Sequence, residues 1–142
     1  MIFCHAYTRK PRRHGYASRL RSCAPQLECT AASTEITRKL LQTTPLADLP
    51  GWEVRLFLIS YPPGADVNNH SHPVVGVGFV LEGSKVSAFD DDPEETFVAG
   101  QSFVDPAPHH RIVRNGSNTK PMKLLIAYTV RTGEPDTVLP KK

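Results

Sequence analysis

The amino-acid sequence predicts an all-β fold, either a barrel or a sandwich of short strands. Runs rich in Val, Ile, Leu, Phe and Tyr recur at intervals of about 8 to 12 residues, and the segments between them show little helical periodicity. The 13 prolines and nine glycines agree with this prediction, because many short strands need many turns. At 142 residues, the chain has the length of one domain with one core.

The first two strands are expected on either side of the turn at Pro50–Gly51. Residues 36–46, ITRKLLQTTPL, are compatible with a short helix or an edge strand, and the β-branched residues at both ends of the segment favour the strand. Residues 52–61, WEVRLFLISY, have apolar side chains on both faces, which is typical of a strand that is covered on both sides.

The next two strands are predicted to form a hairpin. Residues 74–81 (VVGVGFVL) and 85–89 (KVSAF) flank Glu82–Gly83–Ser84, and residues 90–95 (DDDPEE) are expected as an exposed acidic turn. Four more strands are predicted within the segments TFVAG, QSFVDP, HRIVRN and MKLLIAYTV, with a turn at Asn115–Asn118.

The sequence divides into a leader (residues 1–33), a globular part (residues 34–133) and a tail (residues 134–142). The leader is rich in Arg, Ser and Ala and poor in acidic residues, a composition typical of a mitochondrial transit peptide. A disordered arm and an incorrectly assigned start site are the alternatives. We therefore expect a cytoplasmic protein, or a mitochondrial one if the leader is a targeting segment. The tail has lost the alternation of the strands and is predicted to be loosely ordered.

Charge and cysteine content exclude several classes of function. Six of the 17 basic residues lie in the first 27 positions, which contain no acid, so 11 basic residues face 14 acidic ones in the rest of the chain. No basic stripe remains there, and we expect no nucleic-acid partner. No apolar run approaches the roughly 18 residues of a membrane span, so we expect no membrane partner. All three cysteines lie in the leader, which argues against a disulfide scaffold.

Two histidine pairs are the candidate metal ligands. His70 and His72 form an H-x-H segment, and residues two apart in a strand point to the same face about 6.6 Å from each other. Both imidazoles can then bind one ion through bonds of about 2.0 to 2.1 Å. Alone, this spacing is weak support, because two histidines on a solvated strand face also occur by chance. His109 and His110 form the second pair.

The two histidine-containing blocks resemble the two sequence motifs of the cupins. Gly64-x5-His70-x-His72 resembles the opening of the first motif, and Gly83 stands where that motif ends. Gly100-x5-Pro106 resembles the opening of the second motif, and Asn115 its end. The resemblance covers residues 34–131 and implies a double-stranded β-helix, a jelly-roll barrel with a metal held inside one open end. It also implies a homodimer, for which residues 36–46 could supply a paired or exchanged edge strand.

Two positions depart from the cupin motifs. The acidic ligand of the first motif would fall at Gly76, so no carboxylate is expected there. In the second motif, strict spacing places Arg111 at the ligand position, and a turn shorter by one residue places His110 there instead. Alternation supports His110, because it shares a face with Ile112 and Arg114, and an apolar neighbour suits the inside of a barrel. The predicted ligand set is therefore His70, His72 and His110.

Three neutral imidazoles leave a divalent ion its full charge and keep coordination positions open for water, O2 or a substrate. An anionic or chelating small molecule is the expected substrate, and the ion is expected to be Fe, Mn, Ni or Zn. Gly76 and Gly78 are predicted to widen an apolar cavity near the ion. The alternative is that they mark bulges or close contacts between strands.

Three further residues are candidates for a role at the site. Gln101 is a candidate for a weak fourth ligand or for a hydrogen bond to a ligand, and the alternative is an ordinary strand-edge residue. Asn68 could line the entrance. Arg114 could neutralise a substrate anion, although an exposed Arg at a strand end is a common alternative. His109 is expected to face away from His110.

The leading functional hypothesis is a metal-dependent, dioxygenase-like oxidoreductase that acts on an oxygenated aromatic or polyketide-like substrate. The alternatives are a non-redox enzyme, such as a cyclase, isomerase or decarboxylase, and a non-catalytic cupin that binds a ligand. The globular part contains no cysteine nucleophile, no G-x-S-x-G segment and no phosphate-binding glycine loop.

Overall fold

The computed structural model describes residues 34–67, 69–106 and 109–139. Within these ranges the chain forms β-strands joined by turns and short loops, and no helix. The predicted leader and Asn68 lie outside the described residues. No helix in the described part of the chain has the length and apolar character that crossing a membrane requires.

The strands form two antiparallel sheets. They are β1 (Thr37–Pro45), β2 (Trp52–Tyr61), β3 (His70–Ser71), β4 (Gly76–Glu82), β5 (Ser84–Phe89), β6 (Glu95–Val98), β7 (Ser102–Asp105), β8 (His109–Asn115) and β9 (Met122–Arg131). One sheet has the order β1-β2-β9-β4-β7, and the other has the order β3-β8-β5-β6. The all-β prediction and the double-stranded β-helix that the resemblance implied are both confirmed.

The apolar core covers the inner face of the five-stranded sheet. β9 lies at the centre of this sheet and pairs with β2 over its whole length. Every second residue of β9 is buried, because side chains alternate between the two faces of a strand. The core residues are Phe57, Ile59, Tyr61, Val80, Phe103, Met122, Leu124, Ile126, Tyr128 and Val130.

The predicted hairpin between β4 and β5 is wrong. β4 pairs with β7 and β9 in one sheet, whereas β5 pairs with β6 and β8 in the other. The chain changes sheets at Gly83, which has φ of 77° and lies so close to the Pro121 carbonyl that a side chain would collide with it. The alternating pattern around Glu82–Ser84 is the same for a hairpin and for a corner between sheets, so it did not distinguish them.

A β-bulge in β8 reverses the expected alternation. Ala88 of β5 pairs with Ile112, but the following residue, Phe89, pairs with His110, so Arg111 is an extra residue on β8. This extra residue accounts for the lengthened spacing from His110 to Asn115 that the sequence showed.

The bulge also changes which residues of β8 face inward. His110 and Val113 are buried, and Val113 lines the same cavity as His110. Ile112 and Arg114 are only partly buried. The prediction that Ile112 and Arg114 share a face with His110 is therefore wrong, although the choice of His110 over Arg111 as the inward residue agrees with the structure.

The segment after β9 is attached more closely than the predicted loose tail. The Val138 amide donates to the Ser71 carbonyl (2.8 Å), and the Ser71 amide donates to the Val138 carbonyl (3.0 Å). Asp136 is buried. Residues 134–139 therefore lie beside β3, the shortest strand.

Candidate metal centre

Three buried histidines meet where β3 pairs with β8. His70 lies directly opposite His110 in this pairing, and His72 follows two residues after His70. All three side chains are at least nine-tenths buried. One ring nitrogen from each lies within 4.8 Å of the other two, a spacing at which a single ion could contact all three.

The separation of two of these nitrogens matches the geometry of a metal site. His70 Nε2 and His72 Nε2 are 3.1 Å apart. Two bonds of about 2.1 Å that meet at a right angle place their nitrogens about 3.0 Å apart. The two imidazoles could therefore take neighbouring positions around one ion without moving.

The remaining ring nitrogens divide into partnered and unpartnered groups. His72 Nδ1 is 2.9 Å from the Asp136 carbonyl oxygen, and His110 Nε2 is 2.7 Å from Ser87 Oγ. Nδ1 of His110 is buried, and no described residue forms a hydrogen bond with it. Burying such an atom without a partner costs about 1 to 3 kcal/mol. His110 thus has one nitrogen held by Ser87 and the other free for an ion, an arrangement typical of metal-binding histidines.

Burial keeps His70 and His110 in the neutral form of imidazole, which is the form that binds metal. Desolvation is the main cause of a lowered pKa for His70, to about 4, and the neighbouring His72 adds to the shift. Desolvation also lowers the pKa of His110 to about 2, with Lys85 as the second cause. At neutral pH both rings therefore carry a free lone pair.

A carboxylate that the sequence analysis missed lies next to the histidines. Asp105 of β7 is directly opposite Gly76 of β4 and is buried. Its Oδ2 is 4.0 Å from Nδ1 of His110, and its Oδ1 accepts from the Lys85 ammonium at 2.5 Å. The cupin motif would place a carboxylate at Gly76. In this chain a carboxylate, Asp105, lies opposite that position on the adjacent strand, where it pairs with Lys85.

Lys85 is the second residue that the sequence analysis missed. Only 1% of it is exposed, and its ammonium lies 3.7 Å from the centre of the Phe103 ring. Desolvation lowers the pKa of Lys85, and the charge of Asp105 acts in the opposite direction. An available signal was the presence of a lysine and an aspartate at inward positions of otherwise apolar strands.

The histidines form part of the wall of a cavity of about 330 Å³. Tyr61 and Tyr128 also line it, and the Tyr128 ring stacks on His72 with the ring centres 5.1 Å apart. Burial raises the pKa of both tyrosines, so both hydroxyl groups stay protonated and can donate hydrogen bonds. Arg38 is the cation at the outer part of the lining, where its side chain is about one-third exposed.

The glycines of β4 provide room for aromatic rings of the protein. A Cβ on Gly76 would collide with the Tyr128 ring, and a Cβ on Gly78 would collide with the Phe103 ring. Neither glycine is among the residues that line the cavity. Close contact between strands, the alternative to a widened cavity, is therefore the arrangement found.

Three other candidates from the sequence lie away from the histidines. Gln101 is exposed, and its Oε1 accepts from the Val98 amide in the turn before β7. Arg114 points outward and forms an ion pair with Glu94 at 2.6 Å. His109 is exposed, as expected for a residue facing away from His110. The structure therefore does not bring Gln101 or Arg114 to the site.

A sequence profile described as the cupin domain matches residues 57–128, half of the chain. This chain belongs to the cupin family. A comparison with curated proteins finds no match.

Three solved structures illustrate the range of proteins that share the cupin fold with this chain. A cupin superfamily protein from Desulfitobacterium hafniense is 19% identical, with a TM-score of 0.54 over 70% of this chain and 82% of that chain. The polyketide cyclase RemF from Streptomyces resistomycificus is 19% identical, with a TM-score of 0.56 over 76% of this chain and 72% of that one. An oxalate oxidase is 18% identical, with a TM-score of 0.54 over 77% of this chain and 57% of that chain. These identities establish a common fold.

We predict that the metal-free cupin loses stability as the pH falls below about 6.5. The unfolded chain protonates its imidazoles near their usual pKa of 6.5, whereas the folded protein keeps His70 neutral to about pH 4 and His110 to about pH 2. Unfolding therefore takes up protons in this window, and the free energy of unfolding decreases with falling pH. Urea unfolding of chelator-treated protein at a series of pH values measures the slope.

The slope is proportional to the number of protons taken up on unfolding, and the variant His110→Gln should reduce that number by up to about one. His109→Gln is the matched control, since His109 is exposed. A slope for His110→Gln equal to that of the wild type would contradict the assignment.

We predict that Lys85→Met destabilises the cupin by about 3 to 5 kcal/mol, because it leaves the Asp105 carboxylate buried without its partner. The double variant Lys85→Met/Asp105→Leu should recover much of this loss, since no buried charge remains. Lys123→Met breaks the exposed pair with Glu82 and should cost less than about 1 kcal/mol. Urea unfolding gives all three values, and a double variant no more stable than Lys85→Met would contradict the account.

Proposed function

We propose that this cupin is a metal-dependent enzyme that binds one divalent ion through His70, His72 and His110. The observation that carries the proposal is the meeting of three buried imidazoles, with one nitrogen from each within 4.8 Å of the others, in the wall of a cavity. Fe, Mn, Ni and Zn are the candidate ions. Neutral imidazoles suit Fe, Ni and Zn well, whereas Mn favours carboxylate ligands.

The reaction we propose is the oxidation of a small oxygenated substrate by O2, as in a dioxygenase. A bound ion with three protein ligands would supply open coordination positions and Lewis acidity. The chain's own residues would bind and orient the substrate: Tyr61 and Tyr128 as hydrogen-bond donors, and Ile126 and Leu124 as apolar wall. Burial of the two phenols keeps them protonated, as this role requires.

The cavity limits the size of the substrate. A volume of about 330 Å³ is near the lower end of the range for small-molecule sites, which is about 300 to 1,000 Å³. An aromatic acid, phenol or diketone with a single ring suits this volume better than a polycyclic polyketide. Because histidine ligands carry no negative charge, an anionic or chelating oxygen group on the substrate would balance the charge of the ion.

A non-redox reaction, such as cyclisation, isomerisation or decarboxylation, is the second candidate. The observation that favours it is the presence of groups that can hold protons close to the histidines: the Lys85–Asp105 pair and the hydroxyl groups of Tyr61 and Tyr128. The cupin fold is shared by a polyketide cyclase and an oxalate oxidase, so the fold is compatible with both candidates.

We predict that the protein purified without added metal contains about one equivalent of a divalent ion, and that His72→Ala loses it. His109→Ala is the matched control, since it removes an exposed imidazole next to His110 and should keep the ion. Elemental analysis gives the ion and its amount. A wild-type protein that takes up no metal when Fe, Mn, Ni or Zn is supplied would refute the proposed function.

The same proteins distinguish the two reactions. Phenols, diketones and aromatic acids are added under air with an oxygen electrode, and in parallel without O2. Consumption of O2 that His72→Ala abolishes supports the oxidoreductase. Product formed without O2 supports the non-redox enzyme, and metal binding without turnover in either assay supports a non-catalytic cupin.

We also propose a homodimer that pairs through β1. β1 is an edge strand of the five-stranded sheet, and all nine of its residues are exposed. Leu40 and Leu41 are exposed by 49% and 44%. An exposed strand edge with apolar side chains is a natural place for a second copy to pair.

Light scattering should therefore give twice the monomer mass of 15.7 kDa. The double variant Leu40→Lys/Leu41→Lys should be monomeric. Val98→Lys, at an exposed apolar residue of β6, is the control and should remain dimeric. A monomeric wild type, or a dimeric double variant, would contradict pairing through β1.

A further inference from the structure

The C-terminal segment of residues 134–139, which we call the strap, contacts the histidine site directly. His72 Nδ1 is 2.9 Å from the backbone carbonyl oxygen of Asp136. A carbonyl oxygen only accepts hydrogen bonds, so His72 must carry its proton on Nδ1. The lone pair of His72 is then on Nε2, the atom that lies 3.1 Å from Nε2 of His70.

The side chain of Asp136 anchors the strap to the five-stranded sheet. Its carboxylate accepts from Arg38 of β1 at 2.7 Å and from Arg55 of β2 at 3.5 Å. Arg55 also donates to the Glu134 carbonyl at 2.8 Å and to Glu53 at 2.6 Å. Asp136 and Glu53 are both buried, so these contacts are better shielded from solvent than surface ion pairs.

The backbone of the strap also binds Ser71, the residue between His70 and His72. Val138 exchanges two hydrogen bonds with Ser71, of 2.8 and 3.0 Å. Ser71 belongs to β3, which has two residues and pairs on its other side with β8. The strap therefore completes the hydrogen bonding of the strand that presents His70, and it holds the ring of His72.

The strap forms part of the cavity as well. Thr137 and Leu139 line it beside His70, His72 and Tyr128. One short segment thus touches a candidate ligand, fixes the strand that bears another, and contributes to the cavity wall.

We propose that the strap is a positioning element of the metal site, with Asp136 as its positioning residue, and that strap attachment and metal binding are coupled. This inference rests on the proposed metal binding. An ion bound through His72 Nε2 requires this nitrogen to point toward His70, and the attached strap fixes the ring in that orientation. Metal binding and strap attachment therefore favour each other by the same free energy. Hydrogen-bond acceptors behind metal-bound histidines typically contribute about 10-fold to 100-fold to metal affinity.

The first test measures the affinity of the chelator-treated full-length protein for Co²⁺ and Zn²⁺. Asp136→Ala keeps the carbonyl that holds His72 but removes the carboxylate that anchors the strap to Arg38 and Arg55. We expect it to weaken binding of both ions by up to about 10-fold to 100-fold, the limit being reached if the strap detaches, and to change the visible absorption spectrum of the Co²⁺ form. Glu82→Ala is the matched control, because Glu82 is an acid in an exposed ion pair with Lys123. It should bind both ions like the wild type, with the same spectrum.

A second pair of variants tests the backbone of the strap without changing charge. Val138→Pro removes the amide that donates to Ser71, whereas Val138→Ala keeps it. We expect weaker Co²⁺ binding for Val138→Pro and near wild-type binding for Val138→Ala. Thermal unfolding of the metal-free variants shows whether each is folded, and a purely structural role of the strap would lower these midpoints without weakening metal binding.

Hydrogen exchange measures the attachment of the strap directly, in the protein with its own strap sequence. Zn²⁺ should slow exchange of the Ser71 and Val138 amides in the wild type, and no slowing should occur in His72→Ala. If the wild type binds Zn²⁺ while strap exchange and the affinities of Asp136→Ala and Val138→Pro stay unchanged, the coupling is refuted and the metal site remains. If the wild type binds neither ion, the proposed function itself fails.

Discussion

The burial of three imidazoles at one point is the constraint on which the rest of this cupin depends. Each ring brings two polar nitrogens into a region from which water is largely excluded, and each nitrogen needs a partner. Ser87 and the Asp136 carbonyl provide partners for two of them. Nε2 of His70 and Nε2 of His72 face each other, and Nδ1 of His110 has no protein partner in the described residues. The surrounding sheet thus orients the rings toward a shared point that protein atoms alone do not satisfy.

Charge around this point is arranged in pairs. Lys85 is held by Asp105, and Arg38 is held by Asp136, so neither cation is left without a nearby carboxylate. Lys85, Asp105 and Arg38 line the cavity together with the histidines. Histidine ligands carry no negative charge, so a dication bound by the three rings would have no counterion among them. An anionic ligand would be attracted by the charge of the ion rather than by Lys85 or Arg38, which already have carboxylate partners.

Much of the fold was predictable from the sequence because alternation and turns are local properties. The segments around Trp52–Tyr61 and Met122–Val130 are strands where the pattern placed them. The partner of each strand is not a local property, and for this reason β4 and β5 looked like a hairpin although they belong to different sheets.

The same limit applies to the site. The three histidines were found because their spacing resembles a family motif. Lys85 and Asp105 each stand at an inward position of an apolar strand, which was a signal of a buried charge. Their pairing was not predictable, because they are 20 residues apart in the chain and nothing local indicates that β5 and β7 bring them together. The strap was missed because its contacts are made by backbone groups and a single aspartate, which leave no periodic pattern.

The bulge at Arg111 shows what the fold holds constant around a candidate ligand. Compared with the second cupin motif, the chain has one residue fewer between Pro106 and His110 and one residue more between His110 and Asn115. The two changes cancel, and His110 still pairs with His70 across the strands. The position of this candidate ligand is thus determined by its neighbour across the sheet, while the number of residues before and after it on the strand differs by one from the motif. The number of residues that separate a histidine from the ends of its sequence motif can therefore change while the position of its side chain in the barrel stays the same.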